Sequence, residues 1–317
     1  MLGFAARRLA ASLVLVWVVA SLVFLAIHLI PGDPAELLLS QGGVAPDAAS
    51  VADLRAHLGL DRPLGAQYLS YLNSLVHGDF GTSLQDEHPV AEDIVLRLPR
   101  TLELVGVAGL LAVVIGFPLG VLAALRSGQL VDRILSDLAG LALSVPVFVV
   151  GTLLVLVLAQ KLHWVPAGGF VALSINPLRH FGLLMMPAGT IALGLAAVVF
   201  RVTRGAALEV LERDHVRAAQ ARGASPAVII RRHVVRNAAT SVITVVGLHL
   251  GALLGGTVLV EYVFNWPGLS GYLVLAVEAR DYPAVLAIVL VISALFVLLN
   301  LIIELLYGVI DPRVRRA

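Results

Sequence analysis

The sequence predicts an all-α, polytopic membrane protein with about six transmembrane helices and both termini cytoplasmic. Three observations carry that reading. Of 317 residues, 59% are hydrophobic and only 14% charged, whereas ordinary globular chains carry roughly one-quarter charged residues. The apolar residues are gathered into six stretches free of acidic and basic side chains other than histidine: Leu9–Gly32, Leu104–Leu125, Leu138–Gln160, Phe181–Phe200, Asn237–Val260 and Pro283–Ile303. Each has about the 20 residues a helix needs to cross the hydrocarbon layer. The third observation is that the basic residues fall unequally on the segments between them.

The first stretch is too long for the apolar part of a signal peptide. It runs into Ile30-Pro31-Gly32-Asp33-Pro34 without a small-x-small cleavage site, so it is read as a span. With an even number of spans the two termini share one side. That side takes Arg7 and Arg8, then Arg126 and Arg133, then eight arginines between Arg201 and Arg236, then Arg313, Arg315 and Arg316. These are fifteen of the 22 basic residues, and the opposite side holds the remaining seven, mostly in one long loop. The positive-inside rule therefore places both ends in the cytoplasm. Juxtamembrane arginines account for the basic cluster, and no nucleic-acid partner is expected.

Between the first two spans lies a polar external region, roughly Pro31–Arg100, punctuated by Pro31-Gly32-Asp33-Pro34, Gln41-Gly42-Gly43 and Gly78-Asp79-Phe80-Gly81. Leu64, Tyr68, Leu72, Leu75 and Val76 recur at helical spacing within it, which predicts an amphipathic helix. The division is then a first transmembrane helix over 1–32 and an external cap over 33–100. A five-span core follows over 101–307, with a cytoplasmic tail over 308–317. Pro118, Pro146 and Pro187 predict kinks in spans two, three and four. Gly247, Gly251 and Gly255 make a small-residue ridge on span five. The third external loop reads Glu261-Tyr262-Val263-Phe264-Asn265-Trp266-Pro267-Gly268-Leu269. It is either an interfacial aromatic belt or a gate.

The loop between spans four and five has more design than a connection requires. Ala207–Arg222 is strongly helix-favouring, with Leu208, Leu211, Ala218 and Ala219 able to share a face. Gly223 stands where a helix C′ glycine would. Ala224, Ser225 and Pro226 follow, with Ser225 as N-cap and Pro226 at the first turn of a second helix. The result is a rigid hairpin over 204–236, for which the plainer reading is an amphipathic pair resting on the headgroups.

Here the residues resemble a known family. Arg217-Ala218-Ala219-x-x-x-Gly223, followed by His233-Val234-Val235-Arg236-Asn237, is similar to the cytoplasmic "EAA" loop of binding-protein-dependent ABC importer permeases, in the form common to the dipeptide, oligopeptide and nickel branch. Arg217 replaces the motif's glutamate, and Val235-Arg236 its Leu-Pro. Further matches run in order along nearly the whole chain: Gly59–Leu64, Gly78–Ser83, Leu98–Leu104, Phe264–Leu269, Arg280–Pro283 and Asp311–Arg315. The resemblance implies a type I ABC importer permease of the bacterial plasma (inner) membrane. Such a subunit forms a path with a second, homologous permease and takes peptides from an external substrate-binding protein; a nickel chelate or another small solute is the alternative. It further implies that the hairpin docks on a cytoplasmic ATPase subunit. Small Ala218, Ala219 and Gly223 would allow close approach, while Glu212, Asp214, Arg217 and Arg222 supply rim charges. The external loop, through Glu261, Asn265, Trp266, Pro267 and Gly268, would gate the path or meet the binding protein.

The only lysine, Lys161, stands between Gln160 and Leu162, so no Gly-Lys-[Ser/Thr] phosphate loop is present. ATP and Mg are therefore expected on partner subunits, with no cofactor, metal or catalytic residue here. The absence of cysteine excludes disulfides, thiolate metal sites and cysteine nucleophiles within the chain. An ion-coupled secondary transporter would carry ionisable groups deep in its spans. Only His28, His249 and Glu304 qualify, and of these His249 sits mid-span and is a candidate for lining the path. Ser144 and Ser293 have no base at motif spacing, which argues against an intramembrane hydrolase.

Overall fold

A bilayer offers no water to exposed peptide groups, so a spanning segment must satisfy its backbone internally. The apolar stretches accordingly form helices. The computed structural model describes residues 2–29, 47–57 and 59–310. In order these hold α1 (Leu2–His28), α2 (Ala48–His57), α3 (Leu64–Val76), α4 (Val90–Leu125), α5 (Leu130–Ser144) and α6 (Val147–Leu154). The chain continues with α7 (Pro177–Glu212), α8 (Asp214–Ala221), α9 (Pro226–Ile229), α10 (Val235–Gly256), α11 (Val258–Val263), α12 (Leu269–Glu278) and α13 (Tyr282–Ile310). No strand occurs among the described residues. The Pro31–Pro34 and Gln41–Gly43 turns, the end of the first apolar stretch and the Asp311–Arg315 tail lie outside them.

Among the described residues, five helices can cross a membrane by length and composition: Ala6–Ala26, Val90–Leu125, Pro177–Glu212, Ala227–Gly256 and Tyr282–Ile303. The predicted third span, Leu138–Gln160, is a bent pair. α5 meets Val147–Lys161 at 98°, and the two make a sixth crossing if counted as one span. The cause is local. Pro146 has no N–H to donate, and the residue before a proline is driven out of the helical region. Val145 is extended, with ψ 125. Pro118 and Pro187, predicted to act alike, stay inside continuous helices. After the bend the helix relaxes into a π-helical stretch, Val155–Lys161.

The chain divides into two compact units. One joins Leu2–Leu98 to Tyr272–Val297. In it α3 attaches to α1 through Ser21 and Tyr68, whose hydroxyl oxygens are 2.6 Å apart, and through His28 Nε2 and Gln67 Oε1 at 3.1 Å. Tyr68, Leu72 and Leu75 of α3 are half-buried while Leu64 and Val76 are exposed, so the predicted amphipathic helix is present. Buried Asp281 accepts the Ser83 hydroxyl at 2.6 Å and the Leu84 N–H at 3.2 Å. Two of the stretches carrying the family resemblance, Gly78–Ser83 and Arg280–Pro283, are thereby tied together.

The other unit holds Pro99–Gly271 and the last turns of α13 from Leu298. Its core is built around α7, where Leu184, Ile191, Leu195 and Val199 are buried against Leu104, Ala108 and Ala112 of α4 and Val242 of α10. Both candidate sites belong to this unit, at opposite ends of α7.

Candidate functional site

At one end is the 204–236 hairpin. α7 runs on to Glu212, where Arg213 turns out with ψ 142, and a separate helix α8 begins at Asp214. The single helix expected over Ala207–Arg222 is thus two, divided at Arg213. Arg213 Nη2 is held 2.6 Å from Glu209 Oε1 one turn back.

Gly223 follows α8 with φ +82, the left-handed conformation that glycine adopts without strain. The Ala224 N–H reaches the Ala219 carbonyl at 3.1 Å, the six-to-one bond of a Schellman stop. The Ser225 carbonyl accepts from Val228 and Ile229 at 3.0 and 3.2 Å, opening α9 at Pro226. This second arm is no free-standing helix. It passes through a π-helical turn, Ile230–Val234, directly into α10.

Burial gives the hairpin two faces. Val216, Ile229 and Val234 pack with Ala207 and Val210 of α7 and with Val121 and Ala124 at the end of α4, with Leu208, Leu211 and Ala224 against them. Glu212, Asp214, Arg217, Ala218, Arg222, Gly223 and Ser225 are exposed, and Ala224 is half-buried. Of the apolar face foreseen from Leu208, Leu211, Ala218 and Ala219, Leu208 and Leu211 pack on this cluster and Ala219 is buried, but Ala218 is exposed. Val216, unremarked in the sequence, is fully buried.

At the far end, the loop after α11 folds inward. Trp266 is 2% exposed, and its Nε1 donates to the Arg100 carbonyl at 3.1 Å. Its ring meets Phe170 edge-on with centroids 5.1 Å apart. An indole so enclosed is no part of a lipid-facing aromatic belt. Arg100 lies over Phe170, 4.5 Å from the centroid, and donates to the Pro267 carbonyl at 3.3 Å.

Glu261 is the hub of this turn. Oε1 accepts the Thr101 hydroxyl at 2.7 Å and the Thr257 hydroxyl at 3.3 Å, and Oε2 accepts the Gly271 N–H at 2.6 Å. The Leu269 N–H donates in turn to Thr101 Oγ1 at 2.8 Å. Burial pushes the Glu261 carboxyl above its ordinary value, against the opposing pull of these donors. A Cβ on Gly268 would fall on the Glu261 carboxylate, so only glycine fits there. Asn265 is exposed with φ +48, and Pro267 is half-buried. His249 is exposed on α10. Sequence reasoning passed over Thr101, and also the buried His180, whose Nε2 lies 2.8 Å from Glu103 Oε1. Both Thr101 and Glu103 stand in the Leu98–Leu104 motif, which was the available signal. Among the described residues, no group of three or more histidines or carboxylates is placed to hold a metal ion.

Apolar helices long enough to cross a bilayer, one pair of them bent at a proline, together with a capped hairpin and an inward-folded turn at opposite ends of α7, describe a multi-pass membrane subunit. Residues 116–316 match the family described as the binding-protein-dependent transport system inner membrane component, and residues 1–105 match its N-terminal region. The chain belongs to that family and is a multi-pass ABC importer permease of the inner membrane, in the dipeptide/oligopeptide/nickel group. It is 38% identical over 98% of both chains to "Probable peptide ABC transporter permease protein y4tP" of Sinorhizobium fredii. It is 39% identical over 99% of both chains to the glutathione transport system permease protein GsiC of Salmonella choleraesuis. In fold it resembles the MetNI methionine ABC transporter, with TM-score 0.55 at 20% identity over 69% of this chain and 96% of that one. An amino acid ABC transporter is similar at TM-score 0.52 and 16% identity, over 70% of this chain and 94% of that one.

Proposed function

We propose that this permease carries di- or oligopeptides, delivered by an external binding protein, along a path shared with a second, homologous permease. The observation that supports this is relatedness over the full chain to permeases named for peptide and for glutathione, itself a small peptide. ATP and Mg act on separate cytoplasmic ATPase subunits. Those subunits dock on the exposed surface of the hairpin, where Glu212, Asp214, Arg217 and Arg222 border Ala218, Gly223 and Ser225. The 261–268 turn stands at the external mouth, and His249 faces the path. The division into a first helix over 1–32, a cap over 33–100, a core over 101–307 and a tail over 308–317 belongs to the same reading.

The test is uptake by proteoliposomes holding this chain, its second permease, the ATPase pair and the binding protein. ATP-dependent accumulation of labelled glutathione or tetra-alanine, competed by unlabelled peptide, is the expected result. Accumulation of a nickel chelate with no response to either peptide would overturn the peptide assignment.

A further inference from the structure

The fifth span begins behind three arginines. Arg231 and Arg232 stand on the π-helical turn Ile230–Val234 and Arg236 on the first turn of α10, and all three are exposed. Among the described residues none of the three is paired with an acidic side chain. Together with His233, Asn237 and Thr240 they line one groove of about 780 Å³, within the roughly 300–1,000 Å³ of sites that hold small molecules.

Local bonds shape the groove. Asn237 Nδ2 donates to the His233 carbonyl at 2.7 Å, and the Thr240 hydroxyl to the Arg236 carbonyl at 3.4 Å. The half-buried His233 ring lies with its centroid 5.3 Å from that of His215 on α8. Like charges gathered in one groove repel one another. A phosphate removes that repulsion and offers oxygens that match the guanidinium forks.

The depth of the groove decides the kind of anion. Arg236 immediately precedes the fifth apolar stretch, Asn237–Val260, and Thr240 stands one turn inside it. With both termini cytoplasmic, this is the inner-leaflet end of the span, where basic residues meet anionic lipid headgroups. An acidic side chain of a soluble subunit could reach Arg231 and Arg232, but Thr240 lies at the level of the lipid. Ile243, one turn beyond Thr240 on the same helix face, is 52% exposed. It gives an attached hydrocarbon chain an apolar surface to follow.

We infer that this groove binds the phosphate headgroup of an anionic lipid of the inner leaflet, held by Arg231, Arg232 and Arg236 with Asn237 and Thr240. The bound lipid neutralises the cluster and holds the start of α10 at the membrane surface. The site is separate from the surface proposed for the ATPase, since Glu212, Asp214, Arg217 and Arg222 do not line it.

The test is a titration of the assembled importer, delipidated in detergent, with fluorescently labelled cardiolipin. Unlabelled phosphatidylglycerol should compete, phosphatidylcholine should not, and added salt should weaken binding. Each juxtamembrane arginine is worth about fivefold in affinity for an anionic surface. Arg232→Gln combined with Arg236→Gln should therefore weaken binding about 25-fold. Arg126→Gln combined with Arg133→Gln removes two exposed arginines elsewhere on the cytoplasmic side and should leave binding nearly unchanged. Both double variants should keep their ATPase subunits and their thermal stability.

The site is overturned if the two double variants bind cardiolipin alike, which would reduce the effect to a general attraction of basic residues. It is overturned equally if inorganic phosphate displaces the label as well as unlabelled cardiolipin does, because the ligand would then be a free phosphate. Loss of the ATPase or of thermal stability from the groove variant would give the arginines to a protein interface or to the fold instead.

Discussion

The Glu261 carboxylate and the Thr101 hydroxyl, 160 residues apart in sequence, meet at 2.7 Å in a buried contact. Through it the 261–268 turn is fastened to the second span. Thr101 also receives the Leu269 N–H, so one hydroxyl bridges a carboxylate and a helix start. The arrangement leaves little freedom: Glu261 is 1% exposed, and Gly268 has no room for a methyl group against it.

Glu261→Ala should therefore strip acceptors from Thr101, Thr257 and Gly271 at once. Leaving buried donors unsatisfied costs about 1–3 kcal/mol each, so the detergent-solubilised chain should lose several degrees in Tm. The pH dependence has a definite sign. The folded pKa lies above the ordinary carboxyl value of 4.5 because of burial. The neutral form is the one the fold prefers, so this contribution is complete below about pH 4.5 and fades as pH rises through the raised value. Thermal melts across this range should show the decline in the native chain and a flatter profile in Glu261→Gln. An equal slope in both would remove Glu261 as its source.

The turn's inner and outer residues should separate by experiment. Trp266→Ala opens a cavity in a packed aromatic cluster, a change of about 3–5 kcal/mol, and should lower the yield of assembled importer. Asn265 is exposed and already at positive φ, so Asn265→Gly keeps the backbone while deleting the side chain. If this face meets the binding protein, Asn265→Gly should leave assembly and thermal stability unchanged but reduce stimulation of ATP hydrolysis by the binding protein. Titration of that stimulation against binding-protein concentration is the measurement. An unchanged curve would confine the turn to a structural part.

Much of this was legible in the sequence because the bilayer imposes a simple code. Apolar length reveals spans, and Gly223 between a helix-former run and Ser225-Pro226 reveals a stop and a restart. What escaped depended on tertiary distance. Nothing in the local sequence separates Pro146, which breaks its helix, from Pro118 and Pro187, which do not; neighbouring turns decide whether the freed carbonyls find partners. The same holds for the hairpin's orientation. Helical spacing groups Ala218 with Ala219, and only the apposed ends of α4 and α7 determine that Val216 turns in.

The coupling role proposed for the hairpin rests most directly on Gly223. Its φ of +82 closes the Schellman stop and sets the direction of Pro226–Ile229, and a Cβ added there would have nothing within 4 Å. The effect of Gly223→Val should therefore be chiefly backbone strain, of the order of 1–2 kcal/mol for a β-branched residue in this region. The fifth span continues from Pro226–Ile229, but its apolar length is unchanged by the substitution, so insertion should be unaffected. Strain of that size changes an equilibrium by about tenfold, and ATPase co-purification should fall accordingly, with substrate-stimulated hydrolysis falling alongside. Charge reversal at Glu212 and Asp214 should give a smaller loss that shrinks further as salt is raised, as screened rim charges do. Gly223→Ala provides the internal control, since it lacks the second branch at Cβ and should lie between the native chain and the valine variant. Normal assembly together with normal stimulated hydrolysis in Gly223→Val would mean that the ATPase engages another surface, and the hairpin would then be a membrane-surface element.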